Sequence, residues 1–159
     1  MKKVIFWIDR LTDIFAYLSA FLLIITIVLI VSNIALMGLT GKSIMITDEY
    51  SAYMFAGFVM FGLAHTLKHN GHIRINVLTS RFSLNVQKIF RIYALVVALV
   101  FTVYIFYYSV YMVYQAYVYQ IRSDTVAQTL LWIPQLVMPM GFFVLVLQLI
   151  SEALKEFVR

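Results

Sequence analysis

The chain has 159 residues, 64% of them hydrophobic and 12% charged, whereas a soluble domain is about half apolar and roughly a quarter charged, so a water-soluble fold and a soluble enzyme are excluded. At about 20 apolar residues per membrane crossing, the length accommodates a single small bundle of four or five helices at most. The absence of cysteine excludes disulfides and thiolate chemistry, and a net charge of +5 in so apolar a chain points to Lys and Arg held at a cytoplasmic membrane face rather than to nucleic acid.

Lys2 and Lys3 precede an apolar stretch, as in a secretory signal. The stretch is too long for that, Asp9 and Asp13 interrupt its approach and no small-residue cleavage site follows, so a retained first helix is expected. The longest windows free of charge are Ile14–Gly41, Tyr50–Leu67, Ile92–Ile121 and Thr125–Ser151. A charge at the centre of a spanning helix costs about 2.5–3.5 kcal/mol, so runs of this length predict crossings. The expected fold is an all-α integral membrane protein of one domain covering 1–159, with four transmembrane helices at about 12–37, 48–69, 86–115 and 132–154.

Ten of the twelve Lys and Arg residues fall on one side if the four helices alternate: three near the N-terminus, five between the second and third helices and two at the C-terminus. Cytoplasmic connections retain positive charge, so both termini are expected in the cytoplasm, with Trp7 at the inner interface and Trp132 at the outer one.

In the second helix, Thr47 is placed to cap the first turn while Asp48 and Glu49 favour the positive end of its dipole. Asn70-Gly71 breaks the chain after that helix. Ile75, Leu78, Phe82, Val86 and Ile89 then recur at steps of three and four, and Arg74, Arg81 and Lys88 at seven. This spacing predicts an amphipathic helix over about 73–82 lying in the inner interface, its cations reaching lipid headgroups.

The third window is about 45 Å long as a helix, against a hydrocarbon core of about 30 Å, so it tilts or projects. Its tyrosines, Tyr104, Tyr107, Tyr108, Tyr111, Tyr114, Tyr117 and Tyr119, suit an interface belt or packing on a partner. In the fourth helix Pro134 fits a first turn, whereas Pro139 is expected to remove a backbone hydrogen bond and bend the helix, with Gly141 beside it allowing close packing.

Three histidines occur: His65, His69 and His72. The first two form an i, i+4 pair able to share a metal, but a haem needs ligands from opposite sides, so no metal or cofactor is expected. Asn33, Gln115 and Gln148 are explained by helix–helix hydrogen bonds. Ion-coupled transport leaves ionisable groups inside spans, and no Asp, Glu, Lys or Arg lies deep in any of the four. With no nucleophile–base pair or phosphate-cradling loop either, catalytic and substrate-binding residues are not expected.

The run Asp48-Glu49-Tyr50, followed by an apolar span and by His65-Thr66-Leu67-Lys68-His69-Asn70-Gly71-His72-Ile73-Arg74-Ile75-Asn76-Val77-Leu78, resembles the small membrane subunit of TRAP transporters, the DctQ-like family. So does the stretch Ser123 to Gly141, with Leu131-Trp132-Ile133-Pro134 and Met138-Pro139-Met140-Gly141-Phe142. The family motif falls on Gly71, His72, Arg74, Pro134, Pro139 and Gly141; Asn76 stands where an Asp is common, and Gln135 where a Trp often follows the proline. The resemblance implies a scaffold subunit of a tripartite, ATP-independent uptake system in the bacterial inner membrane. Its partners would be a large permease subunit carrying the substrate and sodium sites, and a soluble periplasmic binding protein that captures an organic acid such as a C4-dicarboxylate or sialic acid. The charges reachable by the binding protein would be Lys42, Asp48, Glu49, Arg122 and Asp124. Two other classes stand beside this one: a haem- or quinone-binding anchor of a respiratory enzyme, with His65 or His69 as ligand, and a small channel or exporter acting alone.

Overall fold

The computed structural model describes residues 2–69 and 84–158. Among these the structure is all helical, with no strands. We number the helices α1 (Lys2–Thr40), α2 (Thr47–Lys68), α3 (Leu84–Val118), α4 (Trp132–Gln135) and α5 (Val137–Val158). The expected in-plane helix over 73–82, with Gly71, His72, Arg74 and Arg81, lies outside the described residues.

Helix α1 runs for 39 residues, about 58 Å, and starts ten residues before the predicted position. The charged residues Asp9, Arg10 and Asp13 do not delay it, because Asp9 and Asp13 find cationic partners on neighbouring helices. It stops at Gly41, whose φ of +69° is the left-handed conformation that glycine adopts without cost and that closes helices, and whose N–H donates to the Met37 carbonyl at 2.9 Å.

Thr47 does not cap α2. Ile46 already has helical dihedrals and no side-chain cap bond forms there, so Thr47 sits in the first turn, buried, with its hydroxyl unpartnered. Helix α3 ends through Gln120 at φ +49°, with the Ile121 N–H reaching back to the Ala116 carbonyl at 3.0 Å, a left-handed cap built without glycine.

The predicted fourth helix is interrupted at Leu136, between α4 and α5, although Leu136 keeps helical dihedrals and its N–H donates to the Trp132 carbonyl at 3.2 Å; Pro139 is buried as the third residue of α5. The cause is the proline itself: a proline ring collides with the carbonyl four residues earlier and offers it no N–H. That carbonyl belongs to Gln135, the last residue of α4.

Close contacts fix the packing. Ser19 Oγ donates to the Phe58 carbonyl at 2.7 Å and the Phe15 and Phe61 rings meet edge to face at 5.0 Å, so α1 and α2 run antiparallel. Gly57 lies against Leu22 of α1 and Val137 of α5, and Gly141 of α5 lies against Met60, so α5 runs parallel to α2. Helices α1, α2 and α5 thus form a three-helix core in which small residues let backbones approach, as helices in lipid do. Among the described residues the main packing of α3 is on α5, through Phe106 against Phe143, and on α4, through Tyr117 against Trp132.

Among the described residues three helices are long and apolar enough to cross a membrane: α1, α3 over Val86–Val118, and the combined segment Trp132–Lys155. Helix α2 is less apolar, since its 22 residues include His65, Thr66 and two tyrosines, yet it packs against both α1 and α5. One end of the bundle, the termini end, gathers the start of α1 and the ends of α2 and α5. The other, the loop end, carries the α1–α2 connection and residues 119–131.

Candidate functional site

Among the described residues of the three-helix core, charged side chains are confined to these two ends. At the termini end Gln148 is fully buried. Its Oε1 accepts from Thr12 Oγ1 at 2.9 Å, and its Nε2 donates to Asp9 Oδ1 and Glu152 Oε1 at 3.2 Å each. Lys155 Nζ bridges the same two carboxylates, 3.0 Å from Asp9 and 2.8 Å from Glu152. Lys68 Nζ donates to Asp13 Oδ1 at 2.6 Å and to the Asp9 carbonyl at 3.1 Å. Each acidic group therefore faces an ammonium from another turn or another helix, which is what burial of charge requires. The network stitches α1 to both α2 and α5.

Asp13, His65 and His69 offer ligand atoms within 4.8 Å of one another, and the two imidazoles lie 4.4 Å apart. The carboxylate of this trio is already engaged by the Lys68 ammonium, so the place of a cation is taken by a side chain. Because His65 and His69 project from one side of one helix, they also cannot supply the opposed axial ligands of a haem.

At the loop end Glu49 is buried, one residue before the apolar run Tyr50–Leu67. Its Oε2 accepts from Thr125 Oγ1 and its Oε1 from Tyr53 at 2.8 Å. These two donors make a clamp on the carboxylate. It pins a small lobe in which Arg122 and Leu130 pair as an isolated antiparallel bridge, Ser123 N–H donates to the Thr129 carbonyl at 2.9 Å and Leu131 N–H to that of Ile121 at 3.0 Å. The α1–α2 connection is fixed similarly, Asn33 Oδ1 accepting from the Ile44 N–H at 2.7 Å.

Lys42, Asp48, Arg122 and Asp124 are exposed at the loop end, whereas Glu49 is turned inward to hold residues 123–125. Lys88 is exposed near the start of α3. Of the three polar residues assigned to helix–helix bonds, Gln148 makes one; Asn33 holds a loop, and Gln115 Nε2 bonds the Tyr111 hydroxyl of its own helix at 2.9 Å. The pairing of Asp9, Asp13, Lys68, Glu152 and Lys155 was missed in the sequence. Its one signal there is that Asp9 and Asp13 are four apart, on one face of a helix, close to a span that has no need of charge.

Between the levels of Asp13 and Glu49 no Asp, Glu, Lys or Arg occurs among the described residues of the three-helix core. The arrangement can brace and orient, but it holds no group placed to move a proton or bind an ion at mid-depth. No curated protein matches the chain. A family model, that of the tripartite ATP-independent periplasmic transporters, DctQ component, matches residues 26–159, which includes α2, α3, the loop-end lobe, and the Pro139–Gly141 packing site. The chain accordingly belongs to the DctQ component family of tripartite ATP-independent periplasmic transporters.

Proposed function

We propose that this chain is the scaffold subunit of a sodium-coupled carboxylate uptake system. It crosses the bacterial cytoplasmic membrane four times, α2 included, and braces a large permease subunit that carries the substrate and sodium sites. The observation that carries the reading is the distribution of charge: ionisable groups occur at both ends, where most of those in the core neutralise one another, and are absent from the middle. Such a bundle supports a transport path housed elsewhere. Helix α2 spans in this reading because it packs against both α1 and α5, in the alternating order that brings the termini to one side. With Lys2, Lys3, Arg10, Lys68, Lys88, Arg91 and Lys155 on that side, it is cytoplasmic.

Orientation is checked by single cysteines in this naturally cysteine-free chain. Lys42→Cys should react with a membrane-impermeant thiol reagent in intact cells and Arg81→Cys only after the cells are opened; the reverse pattern means that the bundle is inverted.

The exposed charges Lys42, Asp48, Arg122 and Asp124 are the proposed contact for a soluble binding protein loaded with a carboxylate such as a C4-dicarboxylate or sialic acid. Exposed pairs contribute about 0–1 kcal/mol each and act mainly on encounter rate. Uptake by the three-component system should therefore disappear when this subunit is omitted. It should require a higher half-saturating concentration of binding protein when Arg122 and Asp124 are reversed together. Full uptake without the subunit would defeat the scaffold reading; an unchanged half-saturating concentration in a normally expressed double reversal would remove this surface from docking.

A further inference from the structure

The outward face of α3 is chemically unlike the other outward faces of the bundle. Thr102, Ser109, Val113 and Ala116 are buried toward α5, joined on that side by Phe106. At 100° per residue Tyr104, Tyr108, Tyr111 and Gln115 fall in a stripe about 60° wide on the opposite side, with Tyr107 and Tyr114 along its edge. These tyrosines are 48–66% exposed.

Depth can be read across the helices. Met60 lies near the middle of the apolar run Tyr50–Leu67 and touches Gly141; Phe143, two residues on, meets Phe106 at 6.1 Å. Tyr104, Tyr107, Tyr108, Tyr111 and Tyr114 are thus within about 10 Å of mid-depth at 1.5 Å per residue. This replaces the expected interface belt for these five positions, since belts form at headgroup level. The bundle supplies its own comparison: at equivalent depth the outward face of α1 is Phe21, Ile24, Val28 and Val31, 57–59% exposed, a surface suited to acyl chains. Gln115 donates to the Tyr111 hydroxyl, and Tyr104 and Tyr108 share one hydrogen bond, so Tyr111 and one of that pair still have a phenol proton to donate; lipid tails cannot accept it, and a donor left unpaired in an apolar medium is costly. Another protein surface can supply acceptors there.

We infer that the tyrosine stripe of α3 is the face on which the large permease subunit docks, presenting helix carbonyls or Ser, Thr, Asn or Gln side chains at mid-membrane to the phenol hydroxyls. This rests on the scaffold reading and deepens it by naming the face. The aromatic bodies supply rigid contact area and the hydroxyls fix register, while α1 keeps its aliphatic face toward lipid.

The test uses the assembled membrane complex. A photoreactive residue is introduced as Tyr108→benzoylphenylalanine, with Val28→benzoylphenylalanine as the matched position on α1. Irradiated membranes should give an adduct with the large subunit from position 108 and none from position 28. The triple variant Tyr104→Phe, Tyr108→Phe and Tyr111→Phe, which keeps the rings, should weaken copurification of the large subunit on the order of tenfold at unchanged membrane level. An adduct from position 28 instead, or only lipid adducts from position 108 while copurification is intact, overturns the docking face and leaves the scaffold reading standing. If the unmodified chain brings down no large subunit, the scaffold reading fails and this inference with it.

Discussion

Gly141→Ala should lower the thermal stability of the detergent-solubilised protein by about 1–3 kcal/mol, the cost of forcing extra atoms into a packed interior. A methyl at that position would stand 2.8 Å from Met60 Cβ and from the Met60 carbonyl oxygen, and 3.0 Å from the carbonyl carbon. Two of those three atoms are backbone, so no rotamer change relieves the overlap and α2 and α5 must separate. Their separation would also loosen Val137 from Gly57, because both contacts lie on one seam. Gly57→Ala meets chiefly the end of the Leu22 side chain, at 2.7 Å, which can turn aside, and should cost less. Gly38→Ala meets nothing within 4 Å and should be neutral or stabilising, since glycine inside a helix costs about 0.5–1 kcal/mol relative to alanine. The order of unfolding temperatures is therefore Gly38→Ala highest, then Gly57→Ala, then Gly141→Ala. A Gly141→Ala protein as stable as Gly38→Ala would show that α2 and α5 do not approach this closely.

Gln148→Leu should be comparably damaging, although leucine is the more lipophilic residue. Among the described bonds the amide is the one group that ties Thr12 to Asp9 and Glu152, which Lys155 also bridges. Leucine would leave the buried Thr12 hydroxyl without its acceptor and withdraw one of the two donors between the carboxylates. An orphaned buried group costs about 1–3 kcal/mol, whereas replacing both partners with apolar groups is nearly neutral. Thr12→Val combined with Gln148→Leu should accordingly lose less stability than the sum of the two single variants, a coupling readable from a double-mutant cycle. Strict additivity would mean that the 2.9 Å bond between them contributes nothing.

Much of the architecture was legible in the chain because membrane burial imposes one rule on every residue of a span. Uncharged runs marked the helices, and the resemblance carried by Asp48-Glu49, Gly71 to Arg74 and Pro139 to Gly141 led to the family. What escaped was anything set by which helix faces which. The early start of α1 depends on Lys68 and Lys155, which are 59 and 146 residues away from Asp9 in sequence. Glu49 reads as a helix-end carboxylate; its inward turn depends on Thr125, 76 residues away. The tyrosines read as a belt or as a packing face from composition, and the level of α3 against α5 enters only with Phe106 meeting Phe143, a fact of packing. Pro139 was the reverse case: a lost hydrogen bond was expected, and the interruption falls at Leu136 because a proline acts on the carbonyl four residues before it.

The packing of α3 mainly on α5, among the described residues, has a consequence for how the chain is made. The ribosome finishes the α1–α2 hairpin early, and its two helices can pair at once. Helix α3 follows before its main neighbour exists. At about 5–20 residues per second, the roughly 40 residues between its end and the end of α5 keep it without that neighbour for seconds. Helix α5 then closes the described parts together: it gives α3 its main packing face, seats Gly141 against Met60 and delivers Gln148 to Thr12. The hairpin and α3 are two pieces that wait for one wedge.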